Sequence, residues 1–201
     1  MLEIRLHAHS PFGGLLKPGR HGARAGAPGL MLSERTGLAL FVISAGAGKV
    51  KDVAAAVFSA TGLDLPLGLG RVSKDSFALI GTAPGQWLAV AQGKVALALL
   101  VKLAAALRGL ATIVDQSDGK AVLRVSGPRA RDTLLKGCSL DLHPRVFKPG
   151  SAATTPVALI DCQIWQVDER PTYDLAVPTS YAESFWSWLT ASAAEYGYTV
   201  E

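Results

Sequence analysis

A chain of 201 residues that is 49% hydrophobic and 18% charged, with a formal net charge of +4, has the composition and length of a compact globular protein with a real core. These figures exclude a disordered, collagen-like or coiled-coil polymer. The longest apolar run, 95–107, is interrupted by Lys102 and falls short of the ~20 residues a bilayer-spanning helix needs.

Residues 1–35 interleave Gly13, Gly14, Gly19, Gly22, Gly26 and Gly29 with Pro11, Pro18 and Pro28, a breaker density that predicts an extended N-terminal arm. From Gly37 the pattern alternates. Leu38–Ser44 reads as a buried strand, and Val50–Thr61 as a helix with Val53, Val57 and Ala60 on one face. Strands over Arg71–Ile80 and Gln86–Ala91, joined at Ala83-Pro84-Gly85, form a hairpin, and Val95–Leu107 is the next helix. A second half repeats this order. Thr112–Asp115 and Lys120–Val125 flank Asp118-Gly119, a hairpin signal; Gly127-Pro128 opens a helix with core positions Ala130, Leu134 and Leu135, closed at Gly137. Strands over Thr155–Val167 and Thr172–Val177 make another hairpin, and Ser180 with Glu183 forms a capping box for a last helix ending at Gly197. Paired strands between single helices predict an α+β fold of two similar lobes, each an antiparallel or mixed sheet with helices packed on one side. The expected division is 1–35 arm, 36–110 first lobe and 111–201 second lobe.

Charge is unevenly spread along this plan: residues 1–150 carry 19 Lys and Arg against 9 Asp and Glu, while 151–201 carry Arg170 against 7 acids. A basic surface suits an acidic partner, although solvated faces account for the same pattern. Arg124, Arg129, Arg131, Lys136, Arg145 and Lys148 cluster around the second-half helix, with Arg129 and Arg131 in the first turn, where they oppose the helix dipole and call for acidic partners. No stacking aromatics interleave with them, which argues against nucleic acid. His143 before Pro144 is a loop or interface histidine, since no nucleophile motif accompanies it. Trp186 sits at the edge of the last helix's stripe of Tyr181, Phe185, Trp188, Leu189 and Tyr196, placed for a protein interface or for a wider core. Arg129, Arg131, His143, Arg145 and Trp186 are therefore the candidate interface residues.

Other chemistry finds little support. Ala45-Gly46-Ala47-Gly48-Lys49-Val50 lies where a phosphate loop belongs, but Val50 stands where Ser or Thr must hold magnesium. His7 and His9 lack further metal ligands nearby, and Cys138 and Cys162 are too few and too distant for a disulfide framework. The first residues carry charge and histidine rather than a secretory signal, so the expected compartment is cytoplasmic.

Two stretches carry a family resemblance. Asp115-Gln116-Ser117-Asp118-Gly119, Val122–Asp132, Lys136-Gly137-Cys138 and Asp141-Leu142-His143-Pro144-Arg145, followed by Pro171–Pro178 and Ser184–Leu189, resemble the gamma-subunit family of heterotetrameric sarcosine oxidases. The resemblance is looser upstream, over Glu34–Leu40 and Ala83–Val90. That family is similar in turn to the folate-binding aminomethyltransferases, which share the strand-to-helix junction Ser126-Gly127-Pro128-Arg129-Ala130-Arg131-Asp132. The resemblance implies alpha, beta and delta partner subunits, which would hold FAD, FMN, NAD and tetrahydrofolate and oxidise sarcosine to glycine, formaldehyde and hydrogen peroxide. Neither membrane nor nucleic acid is an expected partner.

For this chain the same resemblance implies no catalytic, cofactor-binding or metal-binding residue. The transferases' acidic pair is represented by Asp161 alone, because Cys162 follows it, and their Gly-Tyr-Glu strand by Thr172-Tyr173-Asp174, with a shorter acid. A carboxylate shortened by one methylene is displaced by ~1 Å or more, enough to cost activity heavily. The expected function is a non-catalytic structural subunit. The alternative is a stand-alone tetrahydrofolate-binding aminomethyl or one-carbon transferase using Asp161 and Asp174; an RNA-binding accessory protein is a third reading.

Overall fold

The structure, a computed structural model, describes residues 10–93 and 95–201. In chain order the strands are β1 (Gly19–His21), β2 (Leu30–Glu34), β3 (Leu38–Ala45), β4 (Arg71–Lys74), β5 (Phe77–Ala83), β6 (Gln86–Gln92), β7 (Ala111–Asp115), β8 (Lys120–Ser126), β9 (Ala152–Val157), β10 (Ile160–Asp168), β11 (Thr172–Pro178) and β12 (Tyr198–Val200). The helices are α1 (Val50–Thr61), α2 (Val95–Ala106), α3 (Ala130–Leu134) and α4 (Ala182–Ala193).

The strands form two sheets, one ordered β4-β5-β6-β3-β7 and the other β1-β12-β2-β8-β11-β10-β9. Period-two alternation gives each sheet two apolar faces. On one face of the smaller sheet Ile43, Leu79 and Ala89 pack with Val53 and Val57 of α1 and Leu103 of α2. Its other face presents Leu40, Ile80 and Leu88 to Val122, Trp165 and Ala176 of the larger sheet. Beyond that sheet Leu123, Leu175 and Val177 meet Phe185, Leu189 and Ala193 of α4. The result is a helix, sheet, sheet, helix stack, the expected α+β fold. Burial on both faces explains why β11 is buried from Thr172 to Val177, and each fully buried Leu, Val or Phe contributes about 1.5–3 kcal/mol.

Several sequence expectations are corrected. The described part of residues 1–35 is more than an extended arm: β2 lies inside the larger sheet, parallel to β12 and antiparallel to β8. Leu30 and Leu32 supply its inward alternation, which the surrounding glycines and prolines mask, and Phe12 is wholly buried in the same core. The turn at Gln116–Gly119 forms, but β7 and β8 are not a hairpin, because β7 pairs with β3 and β8 with β11. Residue 111 thus begins the last strand of the first sheet. The run 71–80 breaks at Asp75, whose φ is +52°, and 155–167 breaks at Ala158-Leu159. The second-half helix shortens to Ala130–Leu134 and leaves Leu135 half exposed. Helix α4 follows a 3-10 turn at Thr179–Tyr181 and has no side-chain cap, so Ser180 and Glu183 do not form the expected box. The histidines His7 and His9 lie outside the described residues.

The loop leading to β4 is held against β5 by Gly81. Its amide donates to the Gly70 carbonyl at 2.8 Å, and a Cβ there would come within 1.9 Å of the Gly68 carbonyl oxygen. Arg71 then enters β4 with its own amide donating to the Gly150 carbonyl at 2.6 Å, so its position is set by the loop before β9 as well as by its own sheet.

Candidate functional site

Between the two sheets the apolar contact is interrupted by charge. On β8 the residues facing the smaller sheet are Val122 and Arg124, and on β11 they are Asp174 and Ala176, with Arg124 and Asp174 in direct cross-strand register. Arg124 donates through Nε to Asp174 Oδ1 at 2.7 Å and through Nη2 to Oδ2 at 2.9 Å, a bidentate pair. Arg35, just past β2, donates through Nη1 to the same Oδ2 at 3.2 Å and through Nη2 to Gln92 Oε1 at 2.9 Å. The Asp174 side chain is 5% exposed, whereas those of Arg35 and Arg124 are 23% and 26% exposed. Arg71, from the opposite sheet, lines the same cleft of about 80 Å³ together with Ser76, Gln92 and Trp165.

The electrostatics follow from this crowding. Hydrogen bonding to Asp174 holds the Arg124 guanidinium above its ordinary pKa. Burial pushes Arg35 and Arg71 downward, Asp174 opposes that shift, and the neighbouring guanidiniums add to it. Three guanidiniums therefore face one interior carboxylate whose oxygens are already engaged. A larger cleft of about 600 Å³ adjoins Arg124 and is lined by Met31, Ser126, Asp168, Arg170 and Thr199.

The residues expected from sequence to form a contact surface do not converge. Arg129 is exposed, pairs with Asp132 at 2.8 Å and lies 5.4 Å from the Tyr196 ring centroid. Helix α3 is too short to hold an anion at its N-terminus. Arg131 turns inward, leaving its Nε buried without a hydrogen-bond partner among the described residues. His143 and Arg145 share one exposed turn, in which the Arg145 amide donates to His143 Nδ1 at 3.2 Å and the His143 amide donates to Asp141 Oδ1 at 2.8 Å. Trp186 is 9% exposed and packs on Phe12, ring centroids 6.4 Å apart, so the wider core stripe is the reading that describes it. The arm residue that covers it is far away in sequence, which is why helical periodicity alone left it at an edge.

The two acids weighed for transfer chemistry also part company. Asp161 is exposed on β10, in register with Pro156. Asp174, at the place where the transferase resemblance puts a folate-binding acid, is committed to two arginines. With three of its roughly four acceptor positions taken and its side chain 5% exposed, it has little left to offer a pterin or an amine, so the chain's residues do not fit folate there. Sequence reasoning missed Arg71 and the link from Asp174 to Arg124. The available signal was a lone charged residue at matching points in two otherwise apolar runs, Val122–Val125 and Thr172–Val177.

Among the described residues no group of three or more His, Cys, Asp or Glu side chains is placed to hold a metal, and no helix is long and apolar enough to cross a membrane. Burial pushes the thiols of Cys138 and Cys162 above their usual pKa, so both resist ionisation.

Comparison with known proteins places these features. The sequence profile of the family described as sarcosine oxidase, gamma subunit, matches residues 46–195. The sarcosine oxidase subunit gamma of Corynebacterium sp. (strain U-96) is 33% identical over 145 residues, 71% of this chain and 69% of that protein. The structure of heterotetrameric sarcosine oxidase from Corynebacterium sp. U-96 in complex with pyrrole 2-carboxylate is similar with a TM-score of 0.82 and 29% identity, covering 94% of this chain and 96% of that chain. Glycine cleavage system aminomethyltransferase T from Bartonella henselae is similar with a TM-score of 0.60 at 17% identity, covering 86% of this chain and 47% of that chain, a likeness of fold alone.

Proposed function

The chain belongs to the sarcosine oxidase gamma subunit family, and from that premise we propose that it serves as a non-catalytic structural subunit of a heterotetrameric sarcosine oxidase. The observation that carries the reading is the engagement of Asp174. A transferase acid must be free to accept from the reacting amine or the folate ring, and this one already accepts three hydrogen bonds from Arg124 and Arg35. Withdrawing it would leave two guanidiniums without their counter-charge, at a cost of several kcal/mol. Family membership likewise favours a subunit over a stand-alone transferase.

In this reading alpha, beta and delta chains hold FAD, FMN, NAD and tetrahydrofolate, and oxidise sarcosine to glycine, formaldehyde and hydrogen peroxide. This chain contributes contact surface, with the exposed Arg129, His143 and Arg145 as the side chains that meet acidic groups of a partner. Arg131 and Trp186 contribute from the layer beneath by shaping that surface.

Two measurements test the proposal. The chain co-expressed with its three partners is expected to co-purify with them as a complex that consumes oxygen with sarcosine, and isothermal titration of the isolated chain with tetrahydrofolate is expected to show no binding. Tight folate binding by the chain alone, or its absence from the purified oxidase, would overturn it.

A further inference from the structure

We propose that the cleft where Arg35, Arg71 and Arg124 converge is a receptor for one small oxyanion, a carboxylate or a phosphate. The charge count among the lining residues favours a partner. Asp174 Oδ1 takes Nε of Arg124, and Oδ2 takes Nη2 of Arg124 and Nη1 of Arg35, so this acid offsets one of three positive charges. Gln92 Oε1 is occupied by Arg35. Arg71 makes no ion pair among the described residues, and its Nε is buried with no hydrogen-bond partner.

Asp75 lies on the cleft wall and is exposed, without an ion pair among the described residues. Even with its charge counted, the side chains lining the cleft keep one positive charge in excess; Asp168, which also acts on Arg124, lies outside that lining and faces Arg170 at 4.0 Å. Half-buried guanidiniums left without a counter-ion are costly, and an oxyanion that accepts from Arg71 removes that cost through charge-assisted hydrogen bonds.

Size sets the ligand class. A cleft of about 80 Å³ holds a carboxylate or a phosphate, and is far below the ~300 Å³ or more that sites for drug-sized ligands occupy, which excludes folate and nucleotides. The Ser76 hydroxyl on the same wall offers a neutral donor beside the guanidinium forks, whose planar geometry suits either anion. One ligand chemistry has two sources here, a free anion or an acidic side chain of a partner subunit.

The test uses the full chain and inorganic phosphate, with potassium acetate as the carboxylate probe and potassium chloride at matched ionic strength as the control. Phosphate or acetate is expected to raise the melting temperature saturably and beyond chloride. R71Q is expected to weaken that affinity by at least about tenfold, the worth of one charge-assisted hydrogen bond. D75N removes the competing negative charge in an exposed turn whose positive φ Asn adopts readily, so it folds and is expected to bind the anion more tightly. A response no different from chloride, or equal affinity in wild type, R71Q and D75N, would overturn the proposal. The assembled complex separates the sources, and only this arm rests on the subunit reading: phosphate binding that persists there marks a free anion, and phosphate binding lost on assembly while R71Q weakens association marks a partner carboxylate.

Discussion

Arg124 and Asp174 stand directly opposite one another on β8 and β11, joined by two parallel hydrogen bonds of 2.7 Å and 2.9 Å on the face turned towards the other sheet. The register makes this pairing a property of the sheet rather than of a mobile surface. Arg35 completes it from the end of β2 and ties the cluster to Gln92 of the smaller sheet, so the Arg35 guanidinium links the two layers.

D174N removes the counter-charge while leaving the volume nearly unchanged. Both guanidiniums remain desolvated, and the expected loss is about 3 kcal/mol, the low end for a broken buried pair because the arginines are partly exposed. R35Q leaves the bidentate pair intact and should cost about 1 kcal/mol. Urea denaturation reads both; equal losses for the two variants would show that the Arg124 pair carries no special weight.

Trp186 offers a second test, because its wedging under Phe12 makes it a core residue of this chain. W186A should lower the stability of the isolated chain by about 3–5 kcal/mol, and F12A by a similar amount, since each opens a cavity in the same cluster. A W186A chain with wild-type stability but weakened subunit association would instead make the indole an interface group.

Lys120 provides a pH prediction with a definite sign. Burial lowers its pKa from the ordinary 10.5, while Cys162 and Asp161 counteract that shift. The unfolded lysine keeps its proton to higher pH than the folded one, so in the window between the lowered pKa and 10.5 the unfolded state binds more protons and stability rises with pH. The tyrosines Tyr173 and Tyr198 are shifted upward by burial and act in the opposite sense, so the comparison must be with K120Q. Wild type should gain stability relative to K120Q as the pH is raised from neutral towards 10, with a flat difference below that window. A difference that falls as the pH rises would contradict the assignment.

The sequence made legible whatever depends on neighbours in the chain. Helix α1 appears with its predicted bounds and its buried face Val53, Val57 and Ala60, and Ala83-Pro84-Gly85 closes the β5–β6 hairpin as expected. Long-range choices were hidden. Asp118-Gly119 signals a turn equally well whether the next strand returns to its own sheet or leaves for another, and here it leaves. β2 is recognisable only once β12 and β8 supply its partners. The site suffered most. Patterning places Arg124 in a surface cluster and Asp174 in an eroded catalytic strand, and only the pairing of β8 with β11 brings them together, while Arg71 arrives from a different sheet.

The tip of the β9–β10 hairpin carries a strain that substitution can remove. Ala158 and Leu159 occupy φ of +52° and +65°, the left-handed region that two-residue hairpin turns require and that Asn-Gly fills most readily. Ordinary side chains there cost roughly 1–2 kcal/mol each, and Leu159 recovers nothing from burial because it is 97% exposed. Replacing the pair by Asn-Gly relieves both positions, partly offset by the extra freedom of glycine in the unfolded chain. The double variant A158N/L159G should therefore stabilise the free chain by about 1 kcal/mol in urea or thermal denaturation. Both residues lie outside the arginine cluster, so D174N should lose the same stability in this background as in the wild type. A destabilised double variant would mean that the turn is held by contacts its backbone angles do not reveal.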